Sequence, residues 1–398
     1  MIFKFIPAIF LIMAGIISTP IHGATVSASG AILTINLNTA NDAVTIVSTG
    51  TEYTFTLTTG NWTGSPWPAG VSVSGPVLTV NATGLSTYGT FSIINSASSP
   101  SGNTVTFGNS GANTYTDDIN ILLINLPGQV VLSGTSSFTG SGAISIITEK
   151  GIVFNSGSLL STVDGSITLD ANQQATATSG TFVGIDVNNA AVKVTGTGTM
   201  TLKGKGGNTG SNQNGVQVQG GGKIMGGTTG ALTVEGYGGS SSSNTNHGVK
   251  VTGGTTPNFS IITSDGCNVS VKGVGGGQEA SSSYMNFGIL VGTDASSSGA
   301  GVITSGGAGT VTLVGTGGTG ATGYYDFGIY LCGSNAKVSS GGVGSANITG
   351  TGGMSDINDA NNYGVFLDYS STVTTGTDGS LTVTGNGGCN GKFSRADY

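Results

Sequence analysis

Thr-Val-Glu-Gly-Tyr-Gly-Gly at 233–239, Ser-Val-Lys-Gly-Val-Gly-Gly at 270–276 and Thr-Leu-Val-Gly-Thr-Gly-Gly at 312–318 are one seven-residue phrase written three times. It stands again at 201–207 as Thr-Leu-Lys-Gly-Lys-Gly-Gly, at 347–353 as Asn-Ile-Thr-Gly-Thr-Gly-Gly and at 382–388 as Thr-Val-Thr-Gly-Asn-Gly-Gly. The first glycines fall at 204, 236, 273, 315, 350 and 385, so the repeat length wanders between 32 and 42 residues. A second phrase, Gly-[Val/Ile]-x-[Val/Leu], opens at Gly184, Gly215, Gly248, Gly288, Gly328 and Gly364. Fixed phrases separated by segments of variable length mark a stacked unit whose loops tolerate insertion.

Each unit carries three short apolar alternations of period two, the pattern of a strand with one buried face. In one unit they are Ile289/Val291, Val302 and Val311/Leu313; in the next, Ile329/Leu331, Val338 and Ile348. Three strands per turn between glycine-rich corners describe a coil whose backbone groups only the next coil can satisfy. The expected fold is all-β, a right-handed parallel β-helix or solenoid. Shorter coils precede the clear repeats, with Ile121/Leu123, Ile144/Ile146 and Ile167/Leu169 recurring every 23 residues. Their second strands contain Val130/Leu132 and Ile152/Phe154. About nine coils are expected over 119–398, a stack of roughly 40 Å at ~4.8 Å per strand.

Residues 24–118 read differently. Pro66, Pro68, Pro76, Pro100, Trp62 and Trp67 lie there, among strand-like runs separated by turn residues. This predicts an irregular N-terminal β cap or a small β-sandwich covering an otherwise open sheet edge. Residues 1–23 read as a secretory signal peptide: Lys4, an apolar stretch from Phe5 to Ile17, then Ser18 to Gly23. The stretch is shorter than the ~20 residues a membrane span needs, and no membrane span is expected in the mature chain. The expected location is extracellular or at the cell surface. The chain stops soon after the last repeat phrase, which suggests a truncated end.

Composition excludes several function classes. Charged residues make up 7% of the chain, against roughly 25% in ordinary globular proteins. With 11 Lys and Arg in total, of which Arg395 is the one arginine, phosphate neutralisation has nothing to work with. Nucleic-acid partners are excluded, and so is docking on an anionic membrane. Two histidines, His22 and His247, leave little for His-based metal sites or catalytic triads. Glycine, at 73 of 398 residues, has no strict period of three, so the chain is no collagen. Disorder conflicts with a mean hydropathy of +0.19 and regularly placed apolar residues. Cys267, Cys332 and Cys389 are odd in number and form no Cys-x-x-Cys, so no zinc site is expected. No cofactor is expected.

Gly-[Val/Ile]-x-[Val/Leu] alternating with Thr-Val-x-Gly-x-Gly-Gly resembles the β-strand-repeat surface proteins of bacteria. These are akin to filamentous haemagglutinin and the passenger β-helices of autotransporters. The segment Thr104–Asp118 also looks like stretches near the start of such proteins. The resemblance covers most of the mature chain and rests on repeats, which are specific for architecture and weak for activity. It implies a large secreted or surface-displayed adhesin-like protein that binds glycans or neighbouring surfaces if it binds anything. The alternatives are a passive extracellular stalk and a polysaccharide-active enzyme. This chain departs from the family in showing no β-barrel translocator, so its secretion or anchoring partner is unknown.

The six Gly-x-Gly-Gly turns invite comparison with phosphate cradles, but such a cradle occurs once and opens a helix. Six copies between strands read as corners where glycine takes positive φ cheaply. Two residues before the last four strand-opening glycines stand Asn246, Asn286, Asp326 and Asn362, side chains that tolerate left-handed backbone and bond nearby main chain. Stacked at one corner, they form a hydrogen-bonded ladder. His247 is then a repeat position, equivalent to Phe287, Phe327 and Tyr363, and no catalytic base. Thr201, Thr233, Ser270, Thr312, Asn347 and Thr382 form one outward column, too interrupted for an ice-binding array. Another column runs Asp186, Gln217, Lys250, Leu290, Tyr330, Phe366 and turns aromatic towards the C-terminus. With the loop residues Tyr284, Tyr324 and Tyr325, the last two members, Tyr330 and Phe366, form the candidate contact strip for glycans or cell-surface molecules. Catalysis would need carboxylates converging with Lys or Arg. The tight acidic groups are Asp117/Asp118 and Asp356/Asp359, so no catalytic and no metal residues are assigned, although Asp356 and Asp359 have oxygen ligands suited to calcium.

Overall fold

The computed structural model describes residues 23–388 apart from 40, 97–101, 110, 126, 256–257, 278–282, 295–296, 321–322 and 355–360. Among them every third strand returns to the same sheet. Val311–Thr316, Ile329–Cys332 and Asn335–Ser339 belong to three different sheets. Ala346–Thr351 then comes back onto Val311–Thr316 in parallel. Repeated along the chain, this gives three long sheets of 12, 13 and 9 strands. The molecule is an all-β solenoid built of long parallel sheets.

Alternation supplies the core. In the first sheet Leu202, Val234, Val271, Leu313 and Ile348 stand in register, all buried. The second sheet aligns Ile289, Ile329 and Val365, and beside them Val251, Val291 and Leu331. Burying each such side chain stabilises by roughly 1.5–3 kcal/mol, while ordering costs about 1–2 kcal/mol for every backbone residue. One coil has too few of them to stand alone, and stacking is a condition of the fold. The third sheet corrects one assignment. Ile303, between Ile262 and Val338 in register, is the core residue; Val302 faces outward and is half-buried. Two adjacent β-branched residues carry no phase, and only the neighbouring coils decide which one points in.

Parallel pairing also begins well before residue 119. Ile32–Leu37 pairs in parallel with Thr90–Asn95, which pairs with Asp118–Leu123. In the second sheet Ala43–Ser48 lies parallel to Thr104–Phe107. The antiparallel strands Tyr53–Leu57, Val77–Val80 and Val71–Ser74 are added to the end of that sheet, and Ala24–Ser29 to the end of the first. They extend the long sheets and do not build a sandwich of their own. The proline-rich excursion between Ser48 and Thr90 breaks the spacing, which hides these coils from the repeat pattern. Tyr53, Phe55, Phe91, Phe107, Tyr115 and Phe138 fill this end of the core. Asp117 accepts a hydrogen bond from the Tyr53 hydroxyl at 2.7 Å, and Asp118 one from the Ala143 N–H at 2.9 Å.

The two glycine phrases meet in space. A Cβ on Gly236, Gly273, Gly315 or Gly350 would sit 2.0, 2.0, 2.2 or 1.9 Å from the carbonyl oxygen of Gly248, Gly288, Gly328 or Gly364. None of these glycines has positive φ. Glycine is required there because two backbones touch, and the expectation of left-handed corners at these positions is corrected. Each contact closes the neck of a loop that leaves the first sheet and returns to start the second. The left-handed residues stand on the return side of that loop, three positions before the second glycine: Thr245, Met285, Tyr325 and Asn361, with φ of 61°, 57°, 60° and 48°.

Candidate functional site

The loop necks place a column of polar side chains between the sheets. Asn246, Asn286, Asp326 and Asn362 are all buried. Each Oδ1 accepts the backbone N–H of the preceding coil's member: Asn246 N–H to Asn286 at 3.0 Å, Asn286 N–H to Asp326 at 2.7 Å, and Asp326 N–H to Asn362 at 2.9 Å. The ladder runs further back than the Asn/Asp pattern. Gln213 N–H donates to Asn246 at 2.9 Å, and Phe182 N–H to Gln213 Oε1 at 2.7 Å. The sequence argument for Asn and Asp at this corner named left-handed tolerance; in the structure the left-handed residue is the one before each. The ladder side chains serve as acceptors for N–H groups that no strand partner reaches. Asp326 is the exception in charge. Burial pushes its carboxyl up to about 7, opposed only in part by hydrogen bonds from Asn286.

One residue on, the rings stack from coil to coil on the outer face of the second sheet. His247 lies on Phe287 (4.9 Å between centroids), Phe287 on Phe327 (5.3 Å), and Phe327 on Tyr363 (5.5 Å). Leu290 and Tyr330 sit beneath them, so the outward column is covered where it turns apolar. Tyr330 is only 5% exposed, held edge-on by Phe287 and Phe327 at 5.1 Å each. Its place in the candidate strip as an exposed residue is corrected: the loops fold over the sheet face and bury it. Phe366, stacked on Tyr330 at 5.5 Å, stays half-buried. This is a second apolar cluster, outside the coil and separate from the main core.

Where that cluster reaches the surface it opens as a cleft of about 390 Å³. Tyr325, Tyr363 and Phe366 form its aromatic rim, with Tyr330 at its floor. Asp294 and Asp368 supply its carboxylates. Three of the five strip residues, Tyr325, Tyr330 and Phe366, therefore converge. Tyr284 and Tyr324 do not line the cleft; they stack on each other at 4.9 Å on the adjoining loop edge, with Tyr324 edge-on to Tyr325 at 5.2 Å. The sequence reading missed Tyr363, Asp294 and Asp368. Tyr363 carried a usable signal, being the repeat equivalent of Phe287 and Phe327. Asp294 stands two residues past the strand Ile289–Gly292 while Asp368 is the last residue of the strand Val365–Asp368, so they share no repeat position and carried none.

The carboxylates differ. Asp294 lies 3.3 Å from His247 Nε2 and 3.8 Å from Lys250 Nζ. Burial alone would raise its carboxyl, but these two neighbours hold it down at about 2. His247 is fully buried, and its Nδ1 accepts the Phe287 N–H at 3.2 Å. A second ring proton would collide with that donor, and burial further lowers the imidazole pKa, so His247 is neutral with its proton on Nε2. Asp368 accepts the Tyr369 N–H at 2.8 Å and the Tyr330 hydroxyl at 3.4 Å.

On the first sheet the outward column runs in register as Thr201, Thr233, Ser270, Thr312, Asn347 and Thr382, with a Lys203–Glu235 ion pair at 3.7 Å beside it. Asp356, Asp359, Cys389 and the segment 1–22 lie outside the described residues. Among the described residues no three His, Cys, Asp or Glu side chains converge as metal ligands. No family model, no curated protein and no solved structure matches the chain.

Proposed function

We propose that the protein is a secreted or surface-displayed, adhesin-like solenoid that engages glycans through the aromatic cleft of its C-terminal coils. In this reading residues 1–23 are a leader removed on export and the coil runs right-handed. The antiparallel N-terminal strands act as a cap that keeps the first coil from pairing with another chain. The observation that carries the reading is the cleft itself: aromatic rings gathered on the outside of a polar, cation-poor stack. Sugar rings present C–H faces that pack on aromatic faces, and an apolar patch on a soluble surface calls for an occupant. The rigid stack supplies the platform and the variable loops supply the rim. The reading assigns no catalytic step.

A passive stalk is the second reading, favoured by the number of rings that serve coil-to-coil packing, Phe287 and Phe327 above all. A glycan array probed with residues 24–398 and with the Tyr325→Ser/Phe366→Ser variant separates the two. Tyr330 is left in place because it is buried. Binding that disappears in the variant, with an unchanged melting curve, supports the adhesin reading. Equal binding by both proteins removes the cleft from consideration, and no binding by either leaves the stalk.

A further inference from the structure

The charges around the cleft are lopsided. Among the described residues Lys250 is the cation nearest it, its ammonium 3.8 Å from Asp294, and His247 Nε2 lies 3.3 Å from the same carboxylate. Lys250 is also withdrawn from solvent, its side chain 14% exposed. Asp368, at the other end of the lining, has the Tyr330 hydroxyl and the Tyr369 N–H as partners, and no ion pair with a Lys or Arg is found for it among the described residues. The wall between the two acids is made of ring faces and edges: Phe327, Tyr363 and Phe366, with Tyr325 at the lip. Ring faces are electronegative and attract alkylammonium groups, the more so when a carboxylate stands at the edge and water is partly excluded. Two carboxylates repel an anionic ligand.

From this complementarity we infer that the cleft is selective for a positively charged ligand: a sugar carrying a free ammonium group, of the glucosamine type, in preference to its N-acetylated or acidic counterparts. The ammonium sits over the Tyr363 and Phe366 rings and is paired by Asp368, while the sugar face lies against Tyr325. The glycan half of this inference rests on the proposed function; the cationic half rests on the cleft alone.

Isothermal titration at low salt tests both halves with four probes: a β-1,4-glucosamine hexamer, its fully N-acetylated form, a galacturonate hexamer and choline. The expected result is about tenfold tighter binding of the glucosamine hexamer than of the acetylated one. Galacturonate does not bind, and choline competes with the amine. Asp368→Asn, which keeps an oxygen for the Tyr330 hydroxyl, reduces the preference to less than about threefold. Independently of any variant, salt at about 0.5 M erases it in the native protein. Equal or tighter binding of the acetylated hexamer overturns the inference and leaves the glycan reading standing. Choline binding that depends on Asp368, with no glycan bound, leaves the cationic cleft standing and ends the glycan reading. Failure of both choline and the glucosamine hexamer, or a preference that survives Asp368→Asn and high salt, overturns the inference outright.

Discussion

Asp326 occupies a rung where its neighbours in the column, Asn246, Asn286 and Asn362, carry carboxamides, and a buried carboxylate does the same accepting at a cost. Its folded pKa is about 7, raised from 3.8 by burial. The unfolded chain therefore ionises first. Whatever stability the protonated rung gives is complete below pH 3.8 and drains away as pH rises to 7. Asp326→Asn keeps the Oδ1 acceptor and removes the charge, so it should be more stable than the native protein at pH 8, by an amount on the order of 4 kcal/mol at most. The gap should close towards pH 4. Thermal melts of both proteins across that range check it, and a variant advantage independent of pH would refute the titration account. Replacing Asp326 with Ala also removes the charge but leaves the Asn286 N–H buried without an acceptor, so it should be less stable than Asp326→Asn by about 1–3 kcal/mol at any pH.

The element that repeats is a loop pinched at its neck by two glycines. Gly315 lies against the Gly328 carbonyl with no space for a methyl group. Backbone cannot move aside as a side-chain end can, so Gly315→Ala must push the first and second sheets apart at that coil. A cost of about 2–4 kcal/mol is expected. Gly89 is the control: a Cβ there meets nothing within 4 Å and its φ is ordinary. Gly89→Ala should change stability by no more than about 0.5 kcal/mol. Urea midpoints of the two variants make the comparison, and equal values would mean that the close approach does not matter. The same necks explain why loop length varies freely between 32- and 42-residue repeats while the glycines stay. The ladder and the ring residues stand immediately before the second neck glycine on the return path, so insertions earlier in the loop do not disturb them.

At the scale of the molecule, stability is a sum of coil interfaces. Removing 289–328 joins Gly288 to Ile329 and preserves the order of sheets, because Asn286 N–H then meets Asn362 where it met Asp326. The shortened protein should fold, lose about 4.8 Å of length, and melt at a lower temperature in one transition. It should also lose binding at the cleft, since Asp294, Tyr325 and Phe327 go with the deleted coil. Small-angle scattering, circular dichroism and the glycan array read these three outcomes. Substantial helix or aggregation in the shortened chain would contradict an architecture of interchangeable coils.

Period-two apolar patterning and the two glycine phrases sufficed, from the sequence alone, for the all-β stacked architecture, the register of Ile289, Ile329 and Val365, and the columns on the outer faces. Those features are local and repeated, so each copy reinforces the reading of the next. Three things needed the tertiary structure. The phase of Val302 and Ile303 depends on the strands above and below. The reach of the parallel sheets back to Ile32 is hidden by the antiparallel excursion between Ser48 and Thr90. The cleft depends on loops folding over the second sheet: that fold buries Tyr330, leaves Tyr325 at the rim and brings Asp294 and Asp368, from different coils and unequal offsets, to one place. Periodicity says which face a side chain is on. Whether that face is open to water is decided by what the chain lays across it, and that is a property of contacts distant in sequence.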